Sequence, residues 1–145
     1  MVVSLERLGG ALGGPHYFIT VYGNGTVIYY GGSYVAVNGT HKTQISSDKV
    51  QELKKAFYDV NYFDMEDVYD CDYQHTNCFT DGQHSRTSIT VNGETKAIYL
   101  YHGYLGAPEE IFQLEEEIEN IASTRIWTDC PEAQWPLYHG GCTST

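Results

Sequence analysis

His16-Tyr17-Phe18-Ile19-Thr20-Val21-Tyr22-Gly23-Asn24-Gly25-Thr26-Val27-Ile28-Tyr29-Tyr30 has the pattern of a β-hairpin and sets the architecture expected of the chain. Tyr17, Ile19 and Val21 recur at every second position, the period of a strand with one buried face. Gly23-Asn24-Gly25 is hairpin punctuation, and residues 26–30 read as the return strand. Upstream, residues 2–8 read as a strand with Val3, Leu5 and Arg7 on one face and Val2, Ser4 and Glu6 on the other. The glycine-rich segment 9–15 lacks the Lys-Ser/Thr ending of a phosphate-binding loop and leads into a strand, so it is not read as one. Downstream, Gly31-Gly32 punctuates, residues 33–37 read as a strand, and Asn38-Gly39 turns it toward residues 40–45. The expectation is an antiparallel meander.

Two helices follow from a different period. Ser46 is a suitable N-cap with Asp48 in the first turn, and Val50, Leu53, Phe57 and Val60 form one stripe. Pro108 fits the first turn of a second helix, with Ile111, Leu114, Ile118 and Ile121 as its stripe. Glu109 and Glu110 suit its N-terminal end, and Glu115, Glu116, Glu117 and Glu119 read as a repulsive exposed face. Between the helices, residues 61–85 read as a long irregular segment, and residues 86–91 and 95–101 as a second hairpin around Asn92-Gly93. A two-residue loop would set Ile89 opposite Lys96 and Val91 opposite Glu94, whereas a three-residue loop sets Ile89 opposite Ala97 and Val91 opposite Thr95; the second keeps apolar groups together and is the preferred register. The fold class expected is α+β: an antiparallel sheet of about six strands with two helices packed on one face. Residues 1–127 make one domain, and residues 128–145 a cysteine-bearing tail docked on it.

The chain has 145 residues, eight Lys or Arg and nineteen Asp or Glu, for a formal charge of −11. That balance argues against nucleic acid and anionic lipid as partners. No apolar run is long enough for a membrane span. No signal peptide precedes the first strand, so the expectation is a mature or trimmed form.

Cys71, Cys78, Cys130 and Cys142 are even in number and lie in polar, turn-rich segments. Four cysteines allow three connectivities. Local pairing, Cys71 with Cys78 and Cys130 with Cys142, is the first choice. Disulfides imply an oxidising compartment, so the expected location is extracytoplasmic: secreted, periplasmic or at the cell surface. Asn24-Gly25-Thr26 and Asn38-Gly39-Thr40 also fit the glycosylation pattern, although Asn-Gly is first a turn signal.

The chain resembles the DUF6438 domain family of prokaryotic proteins through about residues 3–127. The stretches that carry the resemblance begin with Ser4-Leu5-Glu6-Arg7, Gly14-Pro15-His16-Tyr17, Tyr22-Gly23-Asn24-Gly25-Thr26-Val27 and Ile45-Ser46. They continue with Asn61-Tyr62-Phe63, Thr80-Asp81, Thr90-Val91-Asn92-Gly93, Tyr101-His102-Gly103 and Gly106-Ala107-Pro108. The resemblance implies a compact α+β domain, no assigned activity, and exported or lipid-anchored relatives. Family members carry a cysteine pair in the early glycine-rich loop where this chain has Gly10 and Gly14, which fits the loss of one disulfide. The segment 71–78 and the tail from Thr128 on read as additions to the family pattern.

No hydrolase, zinc-protease, haem-attachment or EF-hand motif occurs, and the chain reads as non-enzymatic with no cofactor. Tyr22, Tyr29, Tyr30 and Tyr34, on or beside the first strands, are the candidate binding residues, since an exposed tyrosine offers apolar area with a polar tip. They suit a protein or glycan partner. A self-assembling cell-surface subunit, forming a homo-oligomer through sheet edges and the tail, is the first alternative. A metal-binding protein is the second. Asp64, Glu66, Asp67, Asp70 and Asp72 offer oxygen ligands to calcium. His102 and His139, in the repeated Tyr-His-Gly tripeptides, offer nitrogen ligands to copper or zinc. His75 and His84 flank Cys78 without the spacing of a common zinc finger.

Overall fold

The computed structural model describes residues 1–9, 13–72 and 77–129. The chain runs β1 (Val2–Leu8), β2 (His16–Tyr22), β3 (Thr26–Ser33), β4 (Gly39–Gln44), α1 (Ser47–Asp59), a 3₁₀ turn (Tyr62–Asp64), β5 (Val68–Tyr69), β6 (His84–Val91), β7 (Glu94–Tyr101), α2 (Glu109–Ala122) and α3 (Arg125–Thr128). The strands form one sheet in the order β4-β3-β2-β1-β6-β7-β5. All pairs are antiparallel except β5 with β7. The fold is therefore α+β, with seven strands where about six were expected and a short third helix.

Alternation decides which face is buried. Val3 and Leu5, Tyr17, Ile19 and Val21, Val27 and Tyr29, Ile89 and Val91, and Ile98 and Leu100 all point inward. They meet Leu53 and Phe57 of α1 and Ile111, Leu114, Ile118 and Ile121 of α2 in one core. The α1 start is capped as expected, with Ser46 Oγ accepting from Lys49 N at 3.2 Å. No helix among the described residues is long and apolar enough to cross a membrane.

Three expectations need correction. Residues 33–37 are not a strand: β3 continues through Gly31-Gly32, and the chain then bends away at Tyr34, φ 57. Glycine is required at Gly31, where a Cβ would lie 2.2 Å from Val37 O; that carbonyl accepts from Tyr29 Oη at 2.9 Å. The β6–β7 register is the other one, with Ile89 opposite Lys96 and Val91 opposite Glu94. Asn92 and Gly93 both have positive φ, as a two-residue type I′ turn demands, and Lys96 is accommodated on the inner face by its reach. Its ammonium donates to Met65 O at 2.5 Å and Asp67 Oδ1 at 2.6 Å. Finally, Glu115 and Glu119 are not exposed: Glu115 is 1% accessible and both face the sheet.

Three tyrosines of the core make stability depend on alkaline pH. Burial pushes the Tyr29 phenol up to about 12 and raises Tyr17 and Tyr62 as well, Tyr17 with help from Glu119. A folded-state pKa above the unfolded value of 10.0 gives stability that is complete below pH 10 and is lost as pH rises through the folded value. Phenolate absorbance during an alkaline titration is therefore expected to show a late, cooperative step as the buried tyrosines ionise on unfolding. A smooth rise of all thirteen tyrosines near pH 10, with the fold intact, would contradict this core.

Candidate binding face and its pocket

The helices cover one face of the sheet, and the alternate residues of every long strand lie on the other. One row crosses it from β4 to β7: Thr40, Tyr30, Phe18, Glu6, Arg86 and Tyr99, each the Cα partner of the next. The neighbouring row is Lys42, Ile28, Thr20, Ser4, Ser88 and Ala97. At ordinary strand spacing the rows are about 24 Å long. Tyr30 and Phe18 are exposed, at 53% and 39%, as is Tyr22 further along β2.

The strand positions of this face carry little of the chain's acidity. Its outward strand positions carry one carboxylate, Glu6, against Lys42 and Arg86. Among the described residues neither Lys42 nor Arg86 forms an ion pair. The other described acids lie on the helices, on the 64–81 segment, at the first residue of β7, which pairs with inward Val91, and at the end of α3.

Toward β7 the face runs into a pocket of about 430 Å³. His84 and Tyr101, outward residues of β6 and β7, line it together with Asp70, the Cys71–Cys78 disulfide, Phe79 and Asp81. The wall is tied down on both sides. Phe79 N donates to Gly103 O at 2.7 Å, and Leu105 N to Asn77 O at 2.8 Å. Tyr101 Oη donates to Phe79 O at 2.7 Å and accepts from Gly82 N at 3.0 Å. A Cβ at Gly103 would stand 2.6 Å from the Tyr101 ring and from Phe79 O, so glycine lets the two segments close. His84 Nδ1 hydrogen-bonds Tyr99 Oη, and its ring lies 5.0 Å from that of Tyr101. Burial, then Asp70, raises the Tyr99 phenol. Phe79 itself is 64% exposed at the lip.

The four candidate tyrosines separate into three environments. Tyr22 and Tyr30 stand on the open face. Tyr29 does not: it is fully buried and stacked on Trp127, ring centroids 4.9 Å apart, so it is a core residue and no surface contact. Tyr34 lies beside Gly13 at the edge of a different cleft. The acidic candidates do not converge. Asp67 is engaged by Lys96, Asp70 Oδ1 accepts from Cys71 N at 2.7 Å, and Asp64, Glu66 and Asp72 join no group of three potential ligands among the described residues. His102 is held by Ser85 Oγ at 2.9 Å and Glu115 Oε1 at 3.1 Å. His75, Cys130, His139 and Cys142 lie outside the described residues. Cys71 and Cys78 are joined, and alkylation of native protein without reductant is expected to leave both unlabelled. Labelling at either would contradict the bridge.

A buried polar cluster went unread in the sequence. Arg7 bonds Glu115 Oε1 at 3.0 Å and Glu119 Oε1, and Tyr17 Oη donates to Glu119 Oε2. Burial opposes the Arg7 charge, but Glu119 and then Glu115 outweigh it and raise its pKa. Ser85, His102 and Glu115 look like hydrolase parts, yet their order is wrong. Ser85 is fully buried and donates to Glu115, while both groups meet the same histidine nitrogen, Nε2. A nucleophile relay needs the acid on the other ring nitrogen. The available signal was Arg7 at an inward position of β1 with two glutamates four apart on α2.

Residues 3–122 match a family model described as a domain of unknown function, DUF6438. The chain belongs to the DUF6438 family. No curated protein sequence is similar to it. The DUF6438 match runs from β1 to the last residue of α2, so it contains both faces of the sheet, the pocket and the Arg7 cluster. Trp127 lies beyond it and still completes the core of this DUF6438 domain.

Proposed function

We propose that this DUF6438 protein is a non-catalytic, extracytoplasmic module that binds a glycan chain along the open face of its sheet. The observation that carries this reading is where the aromatic groups stand on that face. Tyr30 and Phe18 sit toward one edge, and Tyr99, His84 and Phe79 toward the other, with Glu6 and Arg86 between them. A protein interface concentrates its aromatic anchors near a desolvated centre. Here the centre is charged and hydroxyl-bearing, with Ser4, Ser88 and Thr20 in the adjoining row. Two separated ring platforms joined by short hydrogen-bonding side chains suit an extended polymer of rings, each with an apolar face and polar edges. The pocket volume falls within the range of small-molecule sites and would seat the end of such a chain. The Cys71–Cys78 bridge supports an oxidising compartment.

The test is isothermal titration of the full chain with neutral β-1,4-linked glucose and N-acetylglucosamine hexasaccharides. Saturable binding is expected with at least one. Tyr30→Ala and Phe79→Ala, both exposed, are each expected to weaken it about three- to tenfold, the worth of one aromatic contact. Absence of binding, or variants that bind as tightly as the parent, would overturn the reading.

A further inference from the structure

A second cleft lies at the same end of the sheet as the pocket but on its inner side, between the start of β2 and the end of α2. Its volume is about 450 Å³. We propose that it is a separate binding site for a small zwitterion, a ligand carrying both a free ammonium and a free carboxylate, of amino-acid to short-peptide size. This inference does not depend on the glycan reading.

Charges share this cleft without meeting. Arg125 of α3 and Glu116 of α2 both line it and both are exposed. Among the described residues neither has an ion-pair partner within 4.0 Å, although they border one space. Asp129 stands at the same rim; its backbone N donates to Arg125 O at 3.1 Å, and its carboxylate accepts one long contact of 3.5 Å from Thr128 Oγ1. Arg7, Glu119 and Tyr17 in the lining are already committed to one another, so they form fixed polar groups and not free ones. A purely anionic ligand would face Glu116 and Asp129, and a purely cationic one would face Arg125. A ligand with both charges satisfies both sides, its carboxylate paired by the guanidinium fork and its ammonium by the acids.

The opposite wall is built for close contact. Tyr34 is held at φ 57, a backbone region that a bulky residue rarely adopts and that clusters at ligand sites. Its ring lies against Gly13, where a Cβ would be 2.9 Å from the ring. Gly14, at φ 133, leaves the same clearance to Gln83 Nε2. The two glycines therefore let an aromatic ring and an amide approach the cleft, one to pack on a side chain and the other to bond a peptide unit.

The test uses the full chain with free phenylalanine and the tripeptide Ala-Phe-Ala as probes. Each is compared with its N-acetylated and C-amidated forms by NMR titration, reading the Tyr34 ring and Arg125 side-chain signals. At least one free form is expected to shift both signals saturably at millimolar concentration. Blocking either end should weaken binding about tenfold, the loss of one charge-assisted hydrogen bond. Arg125→Gln should abolish discrimination against the amide, and Glu116→Gln should reduce discrimination against the acetylated form. Both positions are exposed, and a thermal melt checks that the variants fold. Binding of the tripeptide alone would assign a peptide and of phenylalanine alone a free amino acid. No shift with either probe, equal binding of blocked forms, or undiminished discrimination by Arg125→Gln would overturn the proposal.

Discussion

Replacing Arg7 with Met is expected to lower stability by about 3–5 kcal/mol, the range for breaking a buried ion pair from one side. The side chains of Arg7 and Glu115 are 12% and 1% accessible, and Glu119 is 18%. Removing the guanidinium leaves two carboxylates close together under the sheet, one of them without water. The expected loss comes less from the missing attraction than from that uncompensated charge. Adding Glu115→Gln to Arg7→Met should therefore recover part of it, since the amide keeps hydrogen-bonding capacity toward Ser85 and His102 without the charge. Urea unfolding of the three proteins measures this directly. A loss below about 1 kcal/mol for the single variant, as surface sites give, or a double variant less stable than the single, would contradict the buried network.

Trp127→Ala is expected to cost about 3–5 kcal/mol, the usual range for a large aromatic removed from a core. The indole stacks on Tyr29 at an interplanar angle of 17° and reaches His41, ring centroids 6.5 Å apart. The backbone carbonyl of Trp127 accepts from Val37 N at 2.9 Å, so α3 also closes the bend between β3 and β4. Alanine keeps that carbonyl, so the loss comes from opening the β3 end of the core to water. Thermal unfolding checks it, and an unchanged midpoint would mean that α3 contributes nothing to the domain. Because Trp127 follows the span 3–122 of the family match, the result also tests whether the cooperative unit extends past α2.

Local signals were legible in the sequence. The β2–β3 hairpin, the Ser46 cap and both helical stripes depend on neighbours within a few residues, and the period reveals them. The errors occurred where long-range contacts reversed a local preference. Lys96 looked too polar for the inner face, but Met65 O and Asp67, about thirty residues away, satisfy its ammonium. Glu115 looked solvated beside Glu116 and Glu117, but Arg7 waits for it across more than a hundred residues. Gly31-Gly32 read as a break, whereas Gly31 makes room for Val37 O and the strand continues. The open face was foreseen as exposed tyrosines without its extent, because the join of β1 to β6 carries no local signature. The pocket was invisible for the same reason: Tyr101 holds the Phe79 carbonyl over a separation of 22 residues.

The uncovered face of the sheet is the proposed ligand surface, and backbone amide NMR of the unmodified chain titrated with the glucose and N-acetylglucosamine hexasaccharides tests that assignment. Shifts are expected along the row from Tyr30 and Phe18 through Glu6 and Arg86 to Tyr99, and on into His84 and Phe79 at the pocket. Shifts confined to α1 and α2, or no saturable shift on the strands with either sugar, would contradict it.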